Sequence, residues 1–260
     1  MLYQTILYDI VEPGILKITL NRPEVRNAIN HQLITDLNAA YEKAQKDDSV
    51  RVIIVTGAGT AFSAGLDLVA YRGKSPLEFR RFIETFYLEM TEILYKMGKP
   101  IIAALNGPTL AAGCSIAFSC DMLVASERAV IGYPEINVGL VPAMHLILLP
   151  RLVGKHKAFE LAFTGDTISA KTAAEIGLIN HAVPHEKLEG EVMKYARNFA
   201  SKSPLVMKMN RDAFYRGLTM EFRAGIADAG DALAILASSE DSVEGMTAFK
   251  EKRKPVWKGR

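Results

Sequence analysis

The 260 residues carry 31 basic against 29 acidic side chains, a formal charge of +2 that offers no strong field to nucleic acid or an anionic membrane. A hydrophobic share of 49% with 23% charged residues is ordinary for a globular protein, and the chain is long enough to bury a substantial core. Its most apolar stretch, 101–118, is broken by Asn106, Gly107, Pro108, Gly113 and Ser115, which makes it a poor membrane span. Met1-Leu2-Tyr3-Gln4-Thr5 has neither the basic start nor the apolar core of a signal peptide, so a cytoplasmic protein is expected. The cysteines, Cys114 and Cys120, lie in an apolar segment with no histidine at metal-ligand spacing. Buried thiols are expected there, with neither a disulfide nor a metal site.

In chain order, residues 6–10 and 14–20 read as strands joined at Glu12-Pro13-Gly14, because large and β-branched apolar residues recur between breakers. The spacing of Ile29, Leu33, Leu37, Ala40, Tyr41 and Ala44 predicts a helix over 27–46, and 50–55 then reads as a buried strand. A second helical period over 75–97 carries Phe79, Phe82, Ile83, Phe86 and Met90. A buried strand at 100–105 ends at Asn106-Gly107. Residues 114–120 read as a short helix, 122–125 and 129–131 as strands, and 146–152, 155–164 and 170–176 as helices. Beyond Pro184 the pattern is helical, over 187–202, 204–217 and 220–237. The division expected is an α/β core over 1–200 and a helical region over 201–260. That region must bury its apolar face on its own core or on a neighbouring subunit.

Three segments point to chemistry. Phe62-Ser63-Ala64-Gly65-Leu66-Asp67 and Asn106-Gly107-Pro108-Thr109-Leu110-Ala111-Ala112-Gly113 are turns able to present backbone N–H groups, and Gly132-Tyr133-Pro134-Glu135 adds a carboxylate downstream. A thioester that becomes an enolate needs fixed donors at its oxygen and a carboxylate at its α-carbon, and these segments supply both. Gly57-Ala58-Gly59 superficially suggests a dinucleotide loop, but Phe62 stands where the third glycine is needed.

Taken with Asn21-Arg22-Pro23, Asn27-Ala28, Cys120-Asp121, Thr164-Gly165-Asp166, 244–249 and Glu251-Lys252-Arg253, the ordered motifs resemble the crotonase, or enoyl-CoA hydratase/isomerase, superfamily across nearly the whole chain. The resemblance implies a spiral of β-β-α turns with two nearly perpendicular sheets, a C-terminal helical trimerisation region, and acyl-CoA thioesters as substrates. The assembly implied is a trimer or a pair of trimers. No permanently bound cofactor is implied, since coenzyme A arrives on the substrate. Leu66 and Ala112 match the two oxyanion donors, Ala112 standing where the family usually has glycine. Glu135 matches the downstream catalytic glutamate of the hydratases and the single acid/base of several isomerases. Ala64, Leu66, Asp67 and Leu68 match the stretch that holds CoA by backbone contacts, and Phe249 and Lys252 match C-terminal positions that reach CoA in some relatives.

Two departures matter. Ser115 stands where the hydratases carry their other glutamate, and Ala143-Met144-His145-Leu146 replaces the glycine-rich continuation of many hydratases. One carboxylate suffices to move a double bond, whereas a serine hydroxyl alone is a poor base for water. Isomerisation of 3-enoyl-CoA to 2-enoyl-CoA is therefore the preferred reaction, with hydration second. Ser115 reads as a helix-start residue or a small residue enlarging the pocket, and His145 as a hydrogen-bonded core histidine near the pocket. Asp67 fits a turn-stabilising role. A serine esterase would use Ser115 as its nucleophile in Gly113-Cys114-Ser115-Ile116-Ala117, but that pattern needs a strand running directly into the serine. A non-catalytic acyl-CoA- or RNA-binding member of the same fold is the remaining alternative.

Overall fold

The computed structural model describes residues 3–260. β1 (Ile6–Glu12) pairs antiparallel with β2 (Ile15–Leu20), the turn closing at Gly14. α1 (His31–Lys46) follows, capped by Asn30, whose side chain accepts the Leu33 N–H at 2.9 Å. The apolar period expected this helix to begin at Asn27. Asn27 instead sits at a φ of 56°, fully buried, with its amide donating to the carbonyls of Ala58 and Ala61, both at 2.9 Å. A long-range anchor overrides the local period there.

β3 (Val52–Gly57) leads to the short α2 (Leu68–Tyr71) and to α3 (Pro76–Ile83), which a Ser75/Glu78 capping box starts. A π-helical segment, Glu84–Glu89, then joins α3 to α4 (Met90–Tyr95). Next come β4 (Ile101–Leu105), β5 (Thr109–Leu110), α5 (Ala112–Phe118), β6 (Met122–Ser126) and β7 (Val130–Gly132). A 3-10 turn at Pro134–Val138 precedes α6 (Ala143–Thr164), which Gly154 interrupts with φ 75° and ψ 163°. β8 (Thr167–Ser169), α7 (Ala170–Glu175), β9 (His181–Val183) and α8 (Leu188–Ala200) complete the layered part. The chain finishes in α9 (Pro204–Gly217), α10 (Phe222–Ala237) and α11 (Glu240–Glu251). The sequence pattern passed over α2, β5, β8 and β9, none of which is long enough to carry a period.

The larger sheet has the order β1-β2-β3-β4-β6-β9, parallel from β2 onward, and β5-β7-β8 form a second sheet. Strand alternation divides the interior in two. Leu16, Ile18, Ile53, Val55, Ala103 and Leu105 pack toward α1 and the α3–α5 side. Ile15, Val52, Ile54, Ile102 and Val124 face Leu188, Val192 and Ala196 of α8. Because β3 and β4 run parallel, the loops that leave their C-terminal ends emerge side by side. Cys114 and Cys120 are free and buried, as expected. Asp121, beside Cys120, accepts the Ile101 N–H at 2.7 Å and pairs with Arg211 at 3.0 Å, joining α9 to the core.

Candidate active site

The two loops are bound to each other before they bind anything else. Phe62 and Ser63 donate their N–H groups to the Pro108 carbonyl at 3.1 and 3.2 Å, and Leu110 N–H donates to Ser63 O at 3.0 Å. A Cβ on Gly65 would stand 2.8 Å from the Ala111 Cβ, and one on Gly113 would stand 2.7 Å from the Ser63 carbonyl. The approach needs glycine at both positions, and Gly65 also has a φ of +95°. Behind the first loop, Ser63 Oγ donates to Asn27 O at 2.8 Å, and Asn106 bridges Gly57 N–H and the Gly59 carbonyl at 3.2 and 3.1 Å.

This lattice turns two N–H groups outward. Ile29 donates to Gly65 O at 2.7 Å and accepts from Asp67 N–H at 3.0 Å, so in the extended backbone between them the Leu66 N–H points to the opposite side. Ala112 opens α5, where a first-turn N–H has no intrahelical acceptor. Among the described residues no protein acceptor takes either group. The residue before it, Ala111, is held at φ 50° and ψ −125°, a conformation that costs a residue with a Cβ on the order of 1–3 kcal/mol. The Ala111 N–H bond to Gly132 O at 2.9 Å and the surrounding contacts hold it there.

The same bond brings in the carboxylate. Gly132 ends β7, pairs with Leu110 of β5, and leads through Tyr133 into the 3-10 turn that carries Glu135. Glu135 Oε2 is shielded from solvent and has no hydrogen-bond partner among the described residues. Burial pushes its pKa up to about 7, against a weaker opposing hydrogen bond from its own backbone, and no other carboxylate contributes. Such a group exchanges a proton readily near neutral pH.

Ser115 lies in the interior of α5, not at its start, so the helix-start reading is corrected: Ala111 holds the cap position. Its hydroxyl meets His145 Nε2 at 3.1 Å, and both residues are almost wholly buried. Burial without a charged partner lowers the His145 pKa to about 3, so the ring is neutral. His145 Nδ1 and the Tyr133 hydroxyl are buried without hydrogen-bond partners among the described residues, and the Tyr133 and His145 rings lie 4.5 Å apart between centroids. No strand runs into Ser115, since β5 ends at Leu110 and the serine stands a turn inside α5, which removes the nucleophile-elbow geometry.

Asp67 holds the first loop as expected. It caps α2 by accepting the Ala70 N–H at 3.1 Å and binds Arg22 Nη1 and Nη2 at 3.1 and 3.0 Å, which explains the Asn21-Arg22-Pro23 motif. Ala64 N–H donates to Arg26 O at 2.9 Å, and Leu68 stands 48% exposed at the lip. Phe249 and Lys252 are not brought to this cluster within the chain. Phe249 is 87% exposed on α11, Lys252 closes that helix at φ 55°, and α11 packs chiefly on α10. Sequence reasoning missed Tyr87, whose hydroxyl is pushed above its ordinary pKa mainly by burial, with the charge of Glu135 adding to the shift. It comes from the π-helical segment, whose wider turn an ideal 3.6-residue period does not describe. Among the described residues no helix is long and apolar enough to cross a membrane, and no cluster suited to a metal ion is found.

The family model for enoyl-CoA hydratase/isomerase matches residues 11–260. The chain is 34% identical over 256 residues to the crotonyl-CoA hydratase of Syntrophomonas wolfei, covering 98% of each. It is 35% identical over 247 residues to the 2,3-dehydroadipyl-CoA hydratase of Escherichia coli, covering 95% of this chain and 96% of that one. The crystal structure of an enoyl-CoA hydratase from Bacillus anthracis superposes with a TM-score of 0.95 at 33% identity, covering 99% and 100% of the two chains. Bare N–H groups on two interlocked loops, a carboxylate on the turn that follows the strand bonded to them, and these full-length likenesses agree: the chain is a member of the enoyl-CoA hydratase/isomerase family and has the crotonase fold.

Proposed function

We propose that this acyl-CoA enzyme converts 3-enoyl-CoA to 2-enoyl-CoA thioesters. The N–H groups of Leu66 and Ala112 hold the thioester oxygen, so that charge arriving there on enolisation meets donors already in place. Glu135 takes a proton from the α-carbon and returns one at the γ-carbon, and a single carboxylate serves both transfers. The observation that carries the reading is Glu135 itself: among the described residues Oε2 is buried and unpartnered, the pKa is raised to about 7, and no second carboxylate contributes to that shift. Backbone along Ala64, Leu66, Asp67 and Leu68 would hold the CoA portion. Phe249 and Lys252 would reach a neighbour's CoA in a trimer or a pair of trimers built on the C-terminal helices.

Hydration of 2-enoyl-CoA is the second reading, and it is favoured by the hydratase names of the relatives. It needs a water placed without a second carboxylate. A product assay with paired 2-enoyl- and 3-enoyl-CoA substrates separates the two. Rapid hydration with no shift of the 3-enoyl double bond overturns isomerisation.

A further inference from the structure

At the opposite end of the large sheet from the site loops lies a cleft of about 590 Å³, a volume suited to a small ligand. Its base is built where β3 and β4 begin, by Val50 and Arg51 ahead of Val52 and by Gly98 and Lys99 ahead of Ile101. The Leu66 and Ala112 loops leave the other ends of the same strands, about 20 Å away along the six residues of β3. A second wall is the segment from Lys202 to Lys208 that opens α9, and a third is Trp257-Lys258-Gly259 of the C-terminal tail. That tail has no regular structure, yet it is latched. Trp257 Nε1 donates to Ser201 O at 2.7 Å, and the N–H groups of Lys258 and Gly259 donate to Asp241 Oδ1 at 2.7 and 3.1 Å.

Six cations line this cleft against a single carboxylate, Asp48, an excess of positive charge larger than the +2 of the whole chain. Three stand at the rim in solvent-exposed pairs, Lys96 with Glu92 at 3.3 Å, Lys208 with Asp212 at 3.2 Å and Lys258 with Glu240 at 2.9 Å. Pairs of that kind are weak and leave the lysines able to turn to a better anion. The other three, Arg51, Lys99 and Lys202, have no salt-bridge partner among the described residues. Arg51 donates to the Lys202 carbonyl, and Lys99 Nζ donates to the carbonyls of Ala44 and Asp47 at 2.6 Å each, which leaves donors on both cations unspent. Burial lowers the pKa of both, and at Lys99 the Arg51 charge adds to the lowering while Asp47 and Asp48 oppose it. Two half-buried like charges with no carboxylate bonded to either form an arrangement that an anion relieves. Between the charges, Met97, Phe199, Met207 and Trp257 give the cleft an apolar wall.

We propose that this cleft binds a small polyphosphate anion, with Arg51, Lys99 and Lys202 as its principal donors. Guanidinium and ammonium groups at close quarters match the dense charge and the many acceptor oxygens of a phosphate chain. The chain is either free or that of a nucleotide, whose base would lie on the Trp257 and Phe199 side. Because the tail supplies one wall, the bound anion also fastens Lys258 to the body of the protein. The inference does not depend on the reaction at Glu135.

Trp257 is the chain's single tryptophan, so its fluorescence reports on this cleft. The whole protein, free of divalent cations, is titrated with inorganic tripolyphosphate and with ATP and followed by that emission and by calorimetry. Saturable binding that weakens as salt is raised is expected. Lys202 is exposed and its ammonium has no partner among the described residues, so Lys202→Glu should fold normally and lower the affinity by about tenfold or more. The same reversal at Lys171, exposed on α7 outside the cleft, should change it by less than about twofold. Affinity for tripolyphosphate equal to or above that for ATP assigns the site to the phosphate chain itself, and tighter binding of ATP assigns it to a nucleotide. No saturation by either ligand below about 1 mM, or an affinity no lower in Lys202→Glu than in Lys171→Glu, overturns the proposal. So does displacement by butyryl-CoA, which would identify the signal with the acyl-CoA site, and so does a response to RNA or to an acidic polypeptide alone.

Discussion

The Glu135 end of the molecule and its C-terminal helices are built on opposite terms. Around Glu135, residues from 22 to 145 converge, and interstrand, loop and side-chain bonds fix each backbone group that faces the site. Along the tail, Phe222, Ile226, Leu233 and Ile235 of α10 stand 77%, 58%, 70% and 62% exposed, and Phe214, Met246 and Phe249 are similarly bare. A rigid, strained turn such as Ala111 is kept only where its neighbours over-determine it. An apolar helix face left in water calls for a covering surface. One region is tied together by bonds within the chain, and the other leaves its apolar side chains uncovered.

The sharpest way to break this contrast is at the carboxylate. Glu135→Gln keeps the shape and loses the proton acceptor, so kcat should fall by about 100- to 10,000-fold while acyl-CoA binding is nearly retained. A folded variant with more than about half the wild-type rate would remove Glu135 from the mechanism.

Gly65→Ala tests the loops. Its Cβ would lie 2.8 Å from the Ala111 Cβ at a φ of +95°, so the Leu66 and Ala112 donors must move apart. A misplacement on the order of 1 Å is expected to cost about 100-fold in kcat/KM. An unchanged rate would show that the close approach does not set the donors.

For the tail, charged substitutions on the exposed face, such as Phe222→Asp with Leu233→Asp, are expected to convert a trimer or hexamer to monomers in light scattering. The secondary structure should be unaltered by circular dichroism. Wild type that is monomeric at all working concentrations sinks the assembly expectation, and with it any contribution of Lys252 to a neighbour's CoA.

Acidity gives two smaller effects. With Glu135 raised to about 7, kcat/KM should rise up to about tenfold per pH unit below that value and level off above it, as the carboxylate becomes the basic form. A limb centred near the ordinary value of about 4.3 would contradict the shielded environment. His145 acts on stability instead. Its folded pKa of about 3 lies below the unfolded value of about 6.5, so the unfolded chain binds the extra proton between them. Its contribution is present above about pH 6.5 and is lost as the pH falls toward about 3. Melting of His145→Gln over that range should be less acid-sensitive than wild type, and an identical acid profile would refute the buried neutral ring.

By itself, the sequence determined the alternation of layers and the helical tail, because apolar period is a local property that survives wherever an element is long enough to display it. The ordered motifs marked Leu66, Ala112 and Glu135, and the structure brings the three segments that carry them together through bonds such as Ala111 N–H to Gly132 O. What only the tertiary structure decided involves contacts between residues distant in sequence. Asn27 left the helix that its period predicted because Ala58 and Ala61 offered its amide two carbonyls. Ser115 and His145, thirty residues apart, carry no pattern that announces their bond. Tyr87, which feels the charge of Glu135, comes from a π-helical turn that an ideal helical period does not describe. Polar partners in a core are chosen by which groups burial leaves unsatisfied, and that is known only once the chain has closed around them.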